Sequence, residues 1–217
     1  MAEVKISGLA IATDVIGSDI VAGVNDSGTK SISIDKILRT TMLTESVWRE
    51  ARSAANDMKV SPTIAPSFEK LTDDGSGSTG VYTYVFSADR DEEIYFAIHL
   101  GSNYKLGTDF YPTFHFIPGD TGTGNVKIDV EYFLVNGSFG SSTIITKTLA
   151  LDGTQEHKDV DFDAIDGTPY TGIDNIFLIR LRRDVSVADN YAGNVFILEF
   201  TVKHEIDQLG NSTRTTK

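Results

Sequence analysis

Cysteine is absent from the 217-residue sequence, so disulfide bonds and thiolate metal sites are excluded. No run approaches the roughly 20 apolar residues that span a bilayer, and the opening MAEVKI has no apolar core of a signal peptide. We therefore expect neither membrane insertion nor export by the secretory route. Stability must come from packing and from association between subunits.

Basic residues are scarce as well, with 19 Lys and Arg against 31 Asp and Glu, for a net charge of −12. Nucleic acids are bound through Lys and Arg that displace counterions from phosphates, so we expect no nucleic-acid partner. Hydrophobic residues make up 40% of the chain and aromatic residues 10%, enough for a folded core. The length suits one β domain with a small appendage.

The first segment, residues 1–34, has short apolar stretches separated by turn-forming residues. Asn25 to Gly28 (NDSG) lies between two of them, which is typical of a β-hairpin. A small β module of this kind buries too little apolar surface to be stable alone. We therefore expect residues 1–34 to need a partner.

Residues 35–60 have few glycines and no proline, and they contain helix-forming runs such as WREARSAA at 48–55. Spacings of four and three place one weak stripe along a predicted connecting helix. Two interpretations stay open: the helix lies on its own domain, or it forms a contact between subunits. Candidate oligomer contacts on this stripe are Ile37, Trp48, Ala51, Ala55 and Met58. Pro62 ends the helix, and the polar residues 61–80 are predicted to be a linker.

Residues 81–209 alternate β-branched or aromatic residues with polar ones, and glycine, aspartate and asparagine punctuate the runs. The pattern predicts an antiparallel β-sandwich or jelly roll, followed by a tail at 210–217. In the run 126–132 the side chains of Val126, Ile128, Val130 and Tyr132 should face the core, and Lys127, Asp129 and Glu131 should face water. The expected strands are 81–86, 93–100, 111–117, 125–134, 142–146, 175–181 and 195–202.

No set of residues typical of catalysis is visible, and we predict that the chain is not an enzyme and needs no cofactor. The sequence has no Gly-x-Ser-x-Gly elbow, no nucleotide-binding glycine loop before a helix and no cysteine nucleophile. A pair of carboxylates acting on a sugar is not excluded among 31 acids, so hydrolysis of a polysaccharide stays as an alternative.

The four histidines, His99, His115, His157 and His204, show no helical pair spacing, and no second His or Cys lies two residues from any of them. We therefore predict no metal site at the histidines. The acidic run from Asp159 to Asp166 (DVDFDAID) lacks the glutamate and the flanking helices of an EF-hand. It is predicted to be a solvated strand edge, with a weak cation site as the alternative.

Residues 5–10 (KISGLA), 17–21 (GSDIV) and 28–37 (GTKSISIDKI) resemble the N-terminal segment of many tailed-bacteriophage fibres and spikes. In those proteins this segment docks on the virion and begins a chain with a variable C-terminal part. The resemblance covers about 37 residues. It implies that residues 1–34 attach the chain to another virion protein.

Residues 104–116 (YKLGTDFYPTFHF), 189–200 (DNYAGNVFILEF) and 204–210 (HEIDQLG) resemble a C-terminal β domain of phage structural proteins. The expected form of the first motif is GTDxxPHxHW, and this chain has Thr113 and Phe116 where that form has His and Trp. Because half of a possible histidine pair is missing, no site is carried over from the resemblance.

Together these features predict a non-enzymatic structural component of a tailed-phage particle, found on the virion. Within the particle, the chain would form a fibre, spike or decoration on the head, neck or tail. We expect a homotrimer because phage fibres with a similar N-terminal segment are usually trimeric. The alternative is a carbohydrate-binding module that recognises a glycan of the host surface. Its candidate stacking residues are Tyr104, Tyr111, Tyr170 and Tyr191.

Overall fold

A computed structural model describes residues 22–25, 28–31, 47–72, 75, 79–135, 141–170, 172 and 175–207. The chain divides into two compact units, Met1–Glu45 and Ser46–Lys217. In the first unit, strands β1 (Ala22–Asn25) and β2 (Gly28–Ser31) pair antiparallel, with Asn25 opposite Gly28. The predicted hairpin is therefore confirmed. Ile37 and the first part of the predicted helix lie outside the described residues.

The second unit is an antiparallel β-sandwich, as predicted. Its strands are β3 (Val47–Ala54), β4 (Lys59–Val60), β5 (Ser67–Thr72), β6 (Val81–Phe86), β7 (Glu92–His99), β8 (Phe110–Pro118), β9 (Thr123–Val135), β10 (Thr143–Asp152), β11 (Lys158–Asp161), β12 (Ile176–Arg183) and β13 (Val195–Ile206). The five-stranded sheet has the order β10-β9-β12-β7-β4, and the six-stranded sheet has the order β11-β8-β13-β6-β5, with β3 paired to β13. No helix in the described residues is long and apolar enough to cross a membrane.

The core lies between the two sheets and is built mainly by the alternation of buried and more exposed side chains along the strands. On β8 the side chains of Phe110, Phe114 and Phe116 are fully buried, whereas Tyr111 is exposed. On β9 the predicted inward set, Val126, Ile128, Val130 and Tyr132, is buried. Each large apolar side chain moved out of water contributes about 1.5–3 kcal/mol to folding, so the alternation fixes which face of each sheet is exposed.

The predicted helix over 35–60 is wrong in its described part. Residues Val47–Ala54 form β3, which pairs with β13 over eight residues, and only Ala55–Asp57 form a single 3₁₀ turn. The helix-forming residues do not form a helix here because the β13 edge satisfies their backbone groups, and such tertiary pairing outweighs intrinsic propensity. Ala55 and Met58 are buried in their own sandwich core and Ala51 packs against it, so they are not a stripe for subunit contacts.

The linker predicted at 61–80 is wrong in part, because residues Ser67–Thr72 form strand β5. This strand pairs with β6 across a register shift between Lys70 and Thr72. The sandwich therefore begins with β3 and not at residue 81. The sequence did not indicate this strand because its two apolar residues, Phe68 and Leu71, are three positions apart and show no period of two.

The charged residues of β9 face away from the core but are not all in water. Asp129 is buried and pairs with Arg182, while Glu131 pairs with Arg180 at 2.7 Å and Lys127 pairs with Asp184. Burial acts to raise the pKa of Asp129, but hydrogen bonds from Arg182 and Thr146 outweigh it and lower the pKa overall. The prediction that this face is wholly solvated is wrong for Asp129.

The connection from β12 to β13 is held by Arg183, a fully buried cation. Its Nε and Nη2 atoms donate to the two carboxylate oxygens of Asp189 at 2.9 and 2.8 Å. The remaining N–H groups donate to the carbonyl oxygens of Gly193 and Tyr191 at 2.8 and 2.6 Å. Four of the five N–H groups of the guanidinium have an acceptor, and such pairing is what makes a buried ion pair tolerable.

Replacing Arg183 by Ala should leave a buried carboxylate and two carbonyl groups without their hydrogen-bond donor. We expect it to lower the free energy of unfolding by about 3–5 kcal/mol. Urea denaturation followed by circular dichroism measures this. The matched control is Arg52→Ala, whose partners Glu50 and Glu199 lie at the surface, and it should cost less than about 1 kcal/mol. Equal losses in the two variants would contradict the role given to Arg183.

Candidate functional site

The outward-facing side of the six-stranded sheet carries the candidate site. Here four neighbouring strands, β11, β8, β13 and β3, present rows of polar and aromatic side chains. We call this surface the outer face, and it includes Asp159 and Asp161 on β11, Tyr111, Thr113 and His115 on β8, Thr201, Lys203 and Glu205 on β13, and Trp48, Glu50 and Arg52 on β3. Along β8 it extends about 13 Å from Tyr111 to His115, four residues at about 3.3 Å each.

One end of the outer face is an aromatic pair. Trp48 on β3 is 45% exposed and Tyr111 on β8 is 40% exposed. These strands flank β13, so their backbones lie about 9.5 Å apart, and the two large rings span this gap with centroids 5.4 Å apart at an angle of 71°. The pair is therefore an angled, partly exposed aromatic wall above β13.

Polar groups surround the aromatic pair. Thr113 Oγ1 donates to Asp161 Oδ1 at 2.8 Å, and Lys203 Nζ lies 3.8 Å from Glu50 Oε1. Together with the two rings, Thr113, Asp161 and Lys203 line a shallow depression of about 650 Å³. Donors and acceptors at the edge of exposed aromatic rings can bind a ligand that has an apolar face and polar edges.

The structure brings only one of the four predicted stacking tyrosines to this surface, namely Tyr111. Tyr104 is fully buried and its hydroxyl donates to the Thr108 carbonyl at 2.6 Å. Tyr191 is buried with its hydroxyl 3.0 Å from Asp120 Oδ1, and Tyr170 packs partly buried against the core. Burial raises the pKa of all three phenols. The stacking role is therefore wrong for Tyr104 and Tyr191.

Trp48 was missed as a surface aromatic because the helical stripe placed it at a subunit contact. Its neighbours carry the alternative signal, since Trp48, Glu50 and Arg52 alternate with Arg49, Ala51 and Ser53. In a strand, residues with period two share one face. Over only eight residues, with polar side chains on both faces, the sequence pattern alone does not distinguish a helix from a strand.

The other end of the outer face is a cluster of His115, His157 and Asp159. His115 lies directly opposite Asp159 across the β8–β11 pair, and His157 precedes Asp159 by two residues. His115 Nδ1 is 2.7 Å from Asp159 Oδ1 and 3.1 Å from His157 Nε2, and His157 Nε2 is 3.0 Å from the same carboxylate oxygen. His115 and His157 are thus in contact, although their spacing along the sequence indicated no pair.

In the sequence, the feature that could have indicated this cluster is the His-x-Asp pattern at 157–159, a spacing that places two side chains on one face of a strand. Searching only for a second His or Cys near each histidine overlooked the carboxylate. The pairing of β11 with β8 could not be read from the sequence, because residues 115 and 159 are 44 positions apart.

The acidic run 159–166 is otherwise the solvated strand edge that was predicted. Asp159, Asp161 and Asp163 are exposed, while Val160 and Phe162 are buried. Strand β11 is the last strand on its side of the six-stranded sheet. Hydrogen bonds from the backbone and side chain of Thr168 lower the pKa of Asp166.

A second depression, of about 680 Å³, lies on the five-stranded sheet and is lined by Tyr95, Leu178, Arg180 and Glu131, among others. Its charged groups already bind one another, since Arg180 pairs with Glu93 and Glu131 and the Tyr95 hydroxyl donates to Glu93 at 2.5 Å. That hydrogen bond and burial raise the pKa of Tyr95. We favour the outer face because its depression is lined by two exposed aromatic rings in contact, those of Trp48 and Tyr111.

A separate aromatic group lies at the β5–β6 edge of the six-stranded sheet. Phe68 is 55% exposed and stacks on Tyr82 with centroids 5.7 Å apart, and Val81, which precedes Tyr82 on β6, is also exposed. We call Phe68, Val81 and Tyr82 the edge patch. Exposed apolar groups on an edge strand are typical of protein contacts.

No family model matches the chain, and no curated protein matches it in sequence. Among solved structures, the chain is similar to a CBM36-1 domain of a multidomain xylanase from the hindgut metagenome of Trinervitermes trinervoides. The TM-score is 0.39 with 11% identity, covering 76% of this chain and 99% of that one. A native family 35 carbohydrate-binding module from Clostridium thermocellum gives a TM-score of 0.37 with 14% identity, over 70% of this chain and 97% of the other.

The enzymatically active domain of tailspike protein 4 from bacteriophage CBA120 is similar over 73% of this chain and 19% of that one, with a TM-score of 0.34 and 10% identity. At these TM-scores and identities the comparisons say nothing about ligands of the present chain. The functional argument therefore rests on the outer face itself.

Proposed function

We propose that the sandwich is a non-catalytic carbohydrate-binding module and that the Trp48–Tyr111 end of the outer face holds the glycan. The observation that supports this most is the pair of exposed rings set at 71° above a depression edged with Asp161, Lys203 and Thr113. A sugar ring has an apolar face of C–H groups and a rim of hydroxyls. The aromatic rings can stack on the C–H face, and the polar side chains can form hydrogen bonds with the hydroxyls.

The chemistry of the surroundings favours a neutral glycan. Around the aromatic pair the outer face has three acidic residues and two basic ones, namely Glu50, Glu205, Asp161, Lys203 and Arg52. Nearby, Lys105 forms an ion pair with Glu205 at 2.6 Å. The whole chain has a net charge of −12. Like charges in the ligand would be repelled, so uronic-acid or sialylated chains should bind more weakly than neutral hexose chains.

Trp48 is the single tryptophan of the sequence, so intrinsic tryptophan fluorescence reports on this site alone. Titration with neutral oligosaccharides from bacterial surface polysaccharides should change that emission in a saturable way. Calorimetry should show that Trp48→Ala and Tyr111→Ala each weaken binding at least about tenfold, which corresponds to about 1.4 kcal/mol. Incubation with the ligand should release no new reducing ends.

The matched control is Tyr95→Ala, which removes a similarly exposed tyrosine from the depression on the other sheet. It should leave the affinity unchanged. Loss of binding in Tyr95→Ala with normal binding in Trp48→Ala would move the site to the five-stranded sheet and refute the proposal.

The phage context is part of the proposal. The resemblance of residues 5–37 to fibre and spike openings supports attachment of the chain to a virion protein through residues 1–34, with the sandwich directed towards the host surface. The hairpin β1–β2 belongs to a unit of its own, and this agrees with a separate attachment module. A glycan-binding module on a particle would gain strength from several copies bound at once.

A chain lacking residues 1–34 should fold, because the sandwich core is built within Ser46–Lys217. It should keep the glycan affinity of the full chain but no longer co-sediment with phage particles. Particle binding by the truncated chain equal to that of the full chain would contradict attachment through this segment.

Self-association, as a homotrimer by analogy with phage fibres, is also proposed. Since Ala55 and Met58 belong to the sandwich core, the support now comes from the edge patch of Phe68, Val81 and Tyr82. Covering these side chains with a second copy would remove apolar surface from water and protect an edge strand.

Sedimentation of the full chain should show an oligomer that Phe68→Glu dissociates, because a charge would be buried at the contact. Trp48→Glu should leave it intact, since Trp48 lies on the outer face. A monomer of about 24 kDa at micromolar concentration, unchanged by either substitution, would contradict intrinsic assembly.

A further inference from the structure

His115, His157 and Asp159 form a compact set of three ligand atoms that the glycan proposal does not use. Their Nδ1, Nε2 and Oδ1 atoms lie 2.7, 3.0 and 3.1 Å apart. In a tetrahedral zinc site with bonds of about 2.0–2.1 Å, neighbouring ligand atoms lie about 3.3 Å apart. The three separations are therefore about 0.2–0.6 Å shorter than those in such a site, so the ligand atoms need only a small outward shift to hold a metal ion.

The ring geometry also fits. The two imidazole centroids are 5.2 Å apart and the ring planes differ by 25°, so the ring edges that carry the two nitrogens face each other. His157 and Asp159 are exposed and His115 is partly buried.

The framework holds the ligands in place. His115 and Asp159 are opposite each other in a hydrogen-bonded strand pair, so their Cα atoms are fixed by the sheet. The second nitrogen of His115, Nε2, is 3.2 Å from the hydroxyl of Thr201, a buried residue on β13. Such an outer contact fixes the ring orientation and leaves Nδ1 to face the cluster.

We propose that His115, His157 and Asp159 bind one divalent transition-metal ion, with zinc as the natural candidate, through two imidazole nitrogens and one carboxylate oxygen. Imidazole ligands suit zinc, nickel, cobalt and copper, whereas calcium and magnesium prefer sites made only of oxygen. Three protein ligands leave a fourth position for water. The bound ion links β11 and the loop before it to β8.

The test uses the full chain purified without a polyhistidine tag and titrated with Zn²⁺ in a calorimeter. One ion should bind per chain, and Ca²⁺ should not compete. Co²⁺ should give the intense visible absorption of a four-coordinate centre. At a Zn²⁺ concentration one hundred times the dissociation constant, the melting temperature should rise by about 5–10 °C.

Three variants separate this site from adventitious binding. His157→Ala should abolish the one-to-one binding and the Co²⁺ absorption, and it should not disturb the fold because His157 is exposed and precedes β11. Thr201→Val, which removes only the contact to His115, should weaken Zn²⁺ binding about 10- to 100-fold. His99→Ala, at an exposed histidine on the other sheet, should bind like the parent chain.

If the parent chain binds no Zn²⁺ or Co²⁺, or if His157→Ala binds them equally well, the cluster is only a hydrogen-bonded His–Asp–His group and the proposal fails. Glycan binding is measured separately on metal-free protein through Trp48, so either result leaves the proposed function to its own test.

Discussion

Strand β13 is paired along both edges, and the remainder of the six-stranded sheet depends on that. From Val195 to His204 it pairs with β8 on one side, while the other side is divided between β6 near Val195 and β3 from Glu199 onwards. A register irregularity between Ile197 and Glu199 lies where the partner changes, and such irregularities bend a strand. Because β13 places Lys203 beside the aromatic pair and Thr201 against His115, this one strand contributes a residue to each proposed site.

The two sheets use their outward surfaces differently. On the five-stranded sheet, Arg180 and Arg182 form a ladder of ion pairs with acids of β7 and β9, and these groups bind one another. On the six-stranded sheet, the outward groups are more varied and include exposed rings. The exposed Trp48–Tyr111 pair is the feature of the six-stranded sheet on which the proposed glycan site rests.

Prediction from the sequence was accurate where the alternation of apolar and polar residues along a strand is enough to determine the structure. The strand expected at 81–86 agrees with β6, and the inward set of Val126 to Tyr132 is buried as expected. It failed at 47–58, where residues that favour helices form a strand paired with β13. It also failed at Tyr104 and Tyr191, whose rings are buried in the core and whose hydroxyls form hydrogen bonds there. Tyrosine has an apolar ring and a polar tip, so its type does not tell which of the two environments it occupies.

The sequence by itself determined the β-sandwich class, the hairpin at residues 22–31 and the exposure of alternate aspartates at 159–163, because these depend on contacts between near neighbours and on the alternation of side chains along a strand. Only the tertiary structure decided that Trp48 meets Tyr111 and that His115 meets His157 and Asp159. Those pairs join strands 42 to 63 positions apart, and their register is set by which edges pair and where the β13 irregularity falls. No local pattern carries that information.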